Sequence, residues 1–163
     1  MSSPLRIGQG WDLHRLVADR PLILGGVTIE YEKGLAGHSD ADVLTHAVID
    51  ALLGAVAQDD IGTHFSDADT RWRDARSIEL LEEIVRRFLG TEWRVVNVDA
   101  TVVAEAPRLG PYRSQMRALL ATALRVDPAV VSVKAKTAEG LGPEGAGEAI
   151  SAQAIVLLVG KAE

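Results

Sequence analysis

No cysteine occurs anywhere in the 163 residues. Disulfides and thiolate metal sites are therefore both excluded, and any transition metal must be held by histidine and carboxylate. Long apolar runs are missing too, since no stretch approaches the roughly 20 residues that span a bilayer. The opening Met1-Ser-Ser-Pro-Leu-Arg lacks the apolar core of a signal peptide, so the expected address is the cytoplasm, with no membrane partner. Positive charge is in deficit. A net charge of -6 disfavours nucleic acid, because phosphate backbones select basic surfaces. It leaves open a phosphorylated small molecule held at one local positive site. Linkers, low-complexity tracts and internal repeats are also absent, and the length suits a single domain over 1–163. The remaining composition, 47% hydrophobic and 25% charged, is that of an ordinary globular domain.

Hydrophobic periodicity gives the expected elements. Leu5 to Leu16 reads as a strand interrupted by Gly8 and Gly10, and Gly25-Gly26 sits between two short apolar runs as a hairpin turn. Ser39 or Asp40 is expected to cap a helix to about Gln58, with Val43, Ala47, Val48, Ala51, Leu52 and Ala55 along its apolar stripe. Residues 59–74 read as a polar loop, and loops of such length are more often functional than idle. A second helix covers 75–89. Next comes a strand over 93–104 with Val96, Val98, Ala100 and Val102 on one face and Asn97, Asp99 and Thr101 on the other. Pro111 opens a third helix to Leu124, and strands follow over 130–137 and 149–159. The order implies an α+β fold, a mixed β-sheet with helices on one face. Small and apolar residues on its other face imply an oligomer.

Chemistry concentrates at a few places. Side chains two apart on a strand point the same way, so Asp12 and His14 project together, unless they are only a polar rim at a strand end. Asp42, His46 and Asp50 recur at i, i+4 and i+8 on a helix whose residues 43–58 contain no Lys, Glu or Arg. That stripe fits a cleft better than a solvated face. Asp12, His14 and the helix histidine would make a two-histidine, one-carboxylate set, which suits zinc with a fourth position open. Asp42 and Asp50 are expected to support those ligands or to bind substrate. His38 and Ser39 add donors at the helix N-terminus, where backbone N–H groups favour anions. The loop Asp60-Ile61-Gly62 to Phe65-Ser66-Asp67-Ala68-Asp69 is rich in acceptors, while His64 within it carries no assigned role. Lys134 to Gly140 places a Lys, a Thr hydroxyl and a carboxylate together, a set that handles phosphate with a hard cation.

These pieces resemble one family over essentially the whole chain, the 2-C-methyl-D-erythritol 2,4-cyclodiphosphate synthases of the non-mevalonate isoprenoid pathway. The matching motifs are Arg6-Ile7-Gly8-x-Gly10-x-Asp12-x-His14, Gly37-His38-Ser39-Asp40-x-Asp42 and Thr45-His46-Ala47-x-x-Asp50. They continue with Asp60-Ile61-Gly62, Phe65-x-Asp67-x-Asp69, Ala106-Pro107 and Glu139-Gly140-Leu141-Gly142. The resemblance implies a homotrimer, its sheets packed around the trimer axis and its active sites at subunit interfaces. It implies zinc on Asp12, His14 and His46, and a Mg or Mn ion using Glu139. The implied substrate is 4-diphosphocytidyl-2-C-methyl-D-erythritol 2-phosphate, a cytidine diphosphate, whose 2-phosphate attacks the β-phosphorus and expels CMP. His38 and Thr137 match transition-state-stabilising positions. Ser39, Asp60, Gly62 and the loop Phe65, Asp67 and Asp69 would hold the erythritol part. A neighbour's Ala104 to Gly110, including Ala106, Pro107 and Arg108, would read cytosine, and Lys136 holds a substrate-contact position where the family often has Thr.

Departures cluster. Pro143 and Ala146 stand where family members often have Phe and Arg, and Gln153 stands where some have Glu. The loss of that Arg–Glu pair implies weak binding of prenyl diphosphates in the axial cavity. Two alternatives share the same ligand set: a zinc phosphoesterase releasing linear products, and a catalytically silent cytidine-nucleotide-binding trimer.

Overall fold

A computed structural model describes residues 4–66, 68–90 and 92–160. The α+β expectation holds. Five strands form one mixed sheet in the order β4-β1-β7-β5-β6, where β1 is Leu5–Ala18, β4 Lys33–Leu35, β5 Trp93–Val103, β6 Val131–Lys136 and β7 Ala149–Gly160. All neighbours are antiparallel except β5 and β6, which pair in parallel. A parallel pair needs a crossover, and the helix α4 (Arg113–Leu124) supplies it. Strands β2 (Leu22–Leu24) and β3 (Val27–Ile29) form the hairpin around Gly25 and Gly26. Both glycines have positive φ, 58° and 74°, as a two-residue hairpin turn demands.

Three helices cover one face. Helix α1 (Val43–Ala55) lies on β1 and β7, α3 (Ser77–Ile84) packs on α1, and α4 packs on β6. Eleven of the thirteen α1 residues are buried, which explains its lack of long charged side chains. Each fully buried Val, Ile or Leu contributes roughly 1.5–3 kcal/mol, so α1 is the centre of the core. The inward row of β7, Ile150, Ala152, Ala154, Val156 and Leu158, meets it. On the sheet's opposite face Ile7, Trp11 and Ile155 remain 71%, 54% and 47% exposed.

Several boundaries differ from the sequence reading. Helix α1 is capped by Asp42, not Ser39 or Asp40, because Ala41 takes a positive φ of 57° and breaks the helical path before it. It ends at Ala55 rather than near Gln58. The polar loop carries a short helix α2 (Ile61–His64), capped by Asp60, and a single turn over Thr70–Trp72, capped by Asp69. The second helix begins at Ser77 and widens into a π turn over Val85–Leu89 before Gly90. In β5 the register slips between Val95 and Asn97. Val96 is thus the extra residue of a bulge, and Val95 takes the buried place beside Val98 that alternation alone assigned to Val96. Strand β4 and the short helix α5 (Gly142–Gly145) were not anticipated.

Candidate active site

The site begins with the seating of β1 on α1. A Cβ on Gly8 would lie 1.9 Å from the Ala51 carbonyl oxygen, so only glycine permits this approach. Two residues beyond Gly10 on the same face come Asp12 and then His14, close enough to α1 to meet His46. Asp12 Oδ2 lies 2.9 Å from His46 Nδ1 and 3.1 Å from His14 Nε2, and one ligand atom from each residue falls within 4.8 Å of the others. His14 Nδ1 stands 2.6 Å from the Ala36 carbonyl oxygen, which can only accept. Nδ1 therefore carries a proton, and Nε2 is the nitrogen turned toward Asp12. Gly37 makes room for this ring: a Cβ there would be 3.1 Å from His14 Cε1. Burial opposes ionisation of Asp12, but when His14 and His46 are protonated their hydrogen bonds and positive charge outweigh it and hold its carboxyl below the usual range. An ionised oxygen and two imidazole nitrogens converging on one point are a donor set that could hold a divalent metal.

The triad opens on a cavity of about 240 Å³ that also takes in His38, Ser39, Asp50, Gly62, Phe65 and Trp72. His38 Nε2 is buried and has no hydrogen-bond partner among the described residues. Its loop is held from outside. Arg20 donates to the carbonyls of Gly37 (3.2 Å) and Ser39 (2.9 Å), a clamp the sequence did not reveal. Asp60 accepts from Thr63 and Asp69 from Arg71, so both shape the loop rather than facing the cavity. Asp67 lies outside the described residues.

The role expected for Asp42 needs correction. Asp42 is fully buried, one turn before His46, and spends its carboxylate on Gly25, Gly26 and Thr45. It joins the hairpin turn to the start of α1 and does not reach the cavity. Burial pushes its carboxyl above the usual range. Asp50 does line the cavity, yet accepts from the Ile61 backbone at 2.8 Å and so anchors α2. Burial also raises its pKa.

Ala104, Pro107, Arg108, Lys136 and Thr137 line a second, separate cavity of about 490 Å³. The Thr137 hydroxyl donates to Glu139 Oε1 at 2.6 Å, while Ala106 joins Pro107 through a cis peptide bond. Glu105, which the sequence reading passed over, accepts from the backbone of Ala138 at 3.2 Å and ties this turn down. Sheet register relates the two places. Asp12 pairs with Ala152, Ala152 with Val102, and Val102 with Ala135. His14 and Thr137 thus sit at the same end of the sheet, three strand spacings or about 14 Å apart. A single phosphate group cannot touch both within one chain.

Comparison with known proteins agrees with this arrangement. The model of the YgbB family matches residues 5–159. The chain belongs to the YgbB family. A relative from Synechococcus sp. (strain JA-2-3B'a(2-13)), named 2-C-methyl-D-erythritol 2,4-cyclodiphosphate synthase, is 57% identical over 155 residues, which cover 95% of this chain and 99% of the relative. The bifunctional IspDF of Campylobacter jejuni superposes with a TM-score of 0.93 at 36% identity, over 98% of this chain and 43% of that one. A 2C-methyl-D-erythritol-2,4-cyclodiphosphate synthase in a CDP-bound form superposes at 0.86 and 38% identity, over 94% of this chain and 99% of that one. Among the described residues, no helix of this YgbB chain is long and apolar enough to cross a membrane.

Proposed function

We propose that the protein converts 4-diphosphocytidyl-2-C-methyl-D-erythritol 2-phosphate into 2-C-methyl-D-erythritol 2,4-cyclodiphosphate and CMP, as a single-domain cytoplasmic enzyme. The observation that carries this reading is the Asp12, His14 and His46 triad opening on the His38 cavity, in a chain 57% identical to a synthase of that name. An oxygen of the 2-phosphate bonds to the β-phosphorus. The bond from that phosphorus to the oxygen bridging the α-phosphorus breaks, and its electron pair leaves with CMP. No protein nucleophile is needed, so the residues position anions and neutralise charge.

Asp12, His14 and His46, two histidines and one carboxylate, would hold zinc, and Glu139 would hold a Mg or Mn ion. Such ions supply Lewis acidity and charge neutralisation at the reacting phosphorus. His38 Nε2 and the Thr137 hydroxyl are the groups assigned to donate to the developing charge. Ser39, Gly62, Phe65 and Asp67 are assigned to the erythritol part, while Asp60 and Asp69 brace the loop through Thr63 and Arg71. Ala104, Ala106, Pro107, Arg108 and Lys136 are assigned to the cytidine diphosphate part, in line with the CDP carried by a solved relative.

The separation of His14 from Thr137 supports active sites completed between subunits. The exposed Ile7, Trp11 and Ile155 support burial of the outer sheet face in a homotrimer. Phosphorus NMR of the protein with the substrate, Mg and zinc tests the reaction. CMP with a cyclic diphosphate is the expected result. CMP with a linear product would make the protein a phosphoesterase, and metal binding without turnover would make it a binding module.

A further inference from the structure

Asp40 and Ser77 are absent from the walls of both cavities, yet they are wired to the metal triad. We infer that they form a positioning pair that dictates which nitrogen of His46 faces the cation, an inference that rests on the triad holding a divalent metal.

Ser77, the first residue of α3, is fully buried. Its backbone N–H donates to Asp40 Oδ2 at 3.0 Å, and its hydroxyl donates to Asp40 Oδ1 in a short hydrogen bond. A carboxylate only accepts, so the single hydroxyl proton of Ser77 is committed to Asp40. Ser77 Oγ also lies 2.8 Å from His46 Nε2, and with its proton spent it meets that nitrogen only as an acceptor. Nε2 therefore carries the ring proton. In the neutral ring the lone pair is then on Nδ1, the atom 2.9 Å from Asp12. Protons run outward in one direction, from His46 to Ser77 to Asp40, and the negative end of the chain makes Nδ1 a better donor to a metal.

A second hydroxyl shows why the direction must be enforced. Ser39 Oγ stands 3.3 Å from the same Nε2, and it accepts from the Ala41 backbone at 3.1 Å, which leaves its own proton uncommitted by that bond. With Ser39 as sole partner, Nε2 could equally receive a hydrogen bond. The ring proton could then sit on Nδ1, where it blocks the ligand position. Asp40 and Ser77 remove that tautomer.

Ser77→Ala deletes the hydroxyl and keeps the backbone bond to Asp40. Asp40→Ala keeps the hydroxyl and frees its proton to point at His46. Zinc affinity by chelator competition and the visible spectrum of the cobalt(II) form are read for the wild type, each variant and the double variant, with metal-free melting confirming folding. Each single variant is expected to bind zinc about 10–100-fold more weakly, with shifted cobalt bands, and the double variant no more weakly than the worse single one. Wild-type affinity and an unchanged cobalt spectrum in Ser77→Ala would overturn the inference, as would losses that simply add in the double variant. A wild type that takes up no zinc would overturn the metal assignment of the triad itself, and this inference with it.

Discussion

A Cβ placed on Gly10 would stand 2.0 Å from the carbonyl oxygen of Ala47, so β1 and α1 touch backbone to backbone. The contact lies one turn from Ala51, which Gly8 meets in the same way. Between them these glycines set the distance from strand to helix, and hence the distance from Asp12 and His14 to His46. The obstructing atoms are backbone, which cannot rotate aside. Gly10→Ala is expected to destabilise the fold by at least about 3 kcal/mol, the upper end of ordinary overpacking. The urea midpoint reads that cost. Whatever folded fraction remains should bind zinc more weakly, because the same displacement pulls His46 from Asp12.

Asp42 accepts four hydrogen bonds with two oxygens, from the Gly25 and Gly26 backbones and from the Thr45 backbone and hydroxyl. Asparagine can serve Gly25 and Thr45 N with its single oxygen, but its amide nitrogen then confronts the Gly26 N–H, donor against donor. Asp42→Asn should cost about 1–3 kcal/mol in denaturant unfolding, the penalty of one buried unsatisfied donor. Activity per folded enzyme should be unchanged, since Asp42 does not reach the cavity. A large fall in kcat with normal stability would return Asp42 to the site.

Much of the site was legible because its geometry is local. Asp12 and His14 share a strand face by alternation, and His46 lies mid-helix among apolar neighbours, so a shared cleft follows from the two periodicities. Asp42 defeated the same logic. Spacing of four puts it on the His46 side of an ideal helix, but it occupies the cap, where its carboxylate turns back to the chain and to a hairpin 17 residues away. Ser77 was invisible because its tie to His46 spans 31 residues. The bulge at Val96 was equally hidden, since Val95 and Val96 are adjacent valines and either suits the inward place. For Thr137 and Glu139 the chemistry was legible but not the place. Only the strand register shows that Thr137 stands about 14 Å from His14.

Acid should separate Asp12 from an ordinary carboxylate. Its folded-state pKa is depressed, although burial works against this, because His14 and His46 donate to it and carry positive charge when protonated. An unfolded Asp titrates near 3.9. The stability from this depression is therefore fully present above that value and is lost as pH falls through the folded pKa. With metal removed by chelator, the stability difference between wild type and Asp12→Asn should shrink as pH falls from about 5 to below about 4. Melting temperatures across that range read it. A difference that instead grows over that acid range would mean that Asp12 is not paired with the two imidazoles.

Arg20 supplies the last test, because it works on His38 without touching the cavity. Its two terminal nitrogens hold the carbonyls on either side of that residue, Gly37 at 3.2 Å and Ser39 at 2.9 Å. A fork with fixed spacing suits two fixed acceptors, whereas the ammonium of lysine is a single point on a flexible stem. Arg20→Lys should therefore keep one of the two bonds and Arg20→Ala neither. If the clamp serves only folding, both variants should lower the melting temperature and leave kcat alone. If it aims His38 at the reacting phosphate, kcat should fall about 10-fold or more for Arg20→Ala and less for Arg20→Lys, with zinc affinity intact. Misplacement by about 1 Å is enough for losses of that size when catalysis rests on positioning. Steady-state kinetics alongside zinc titration separates the two outcomes, since the three ligand residues themselves stand on β1 and α1.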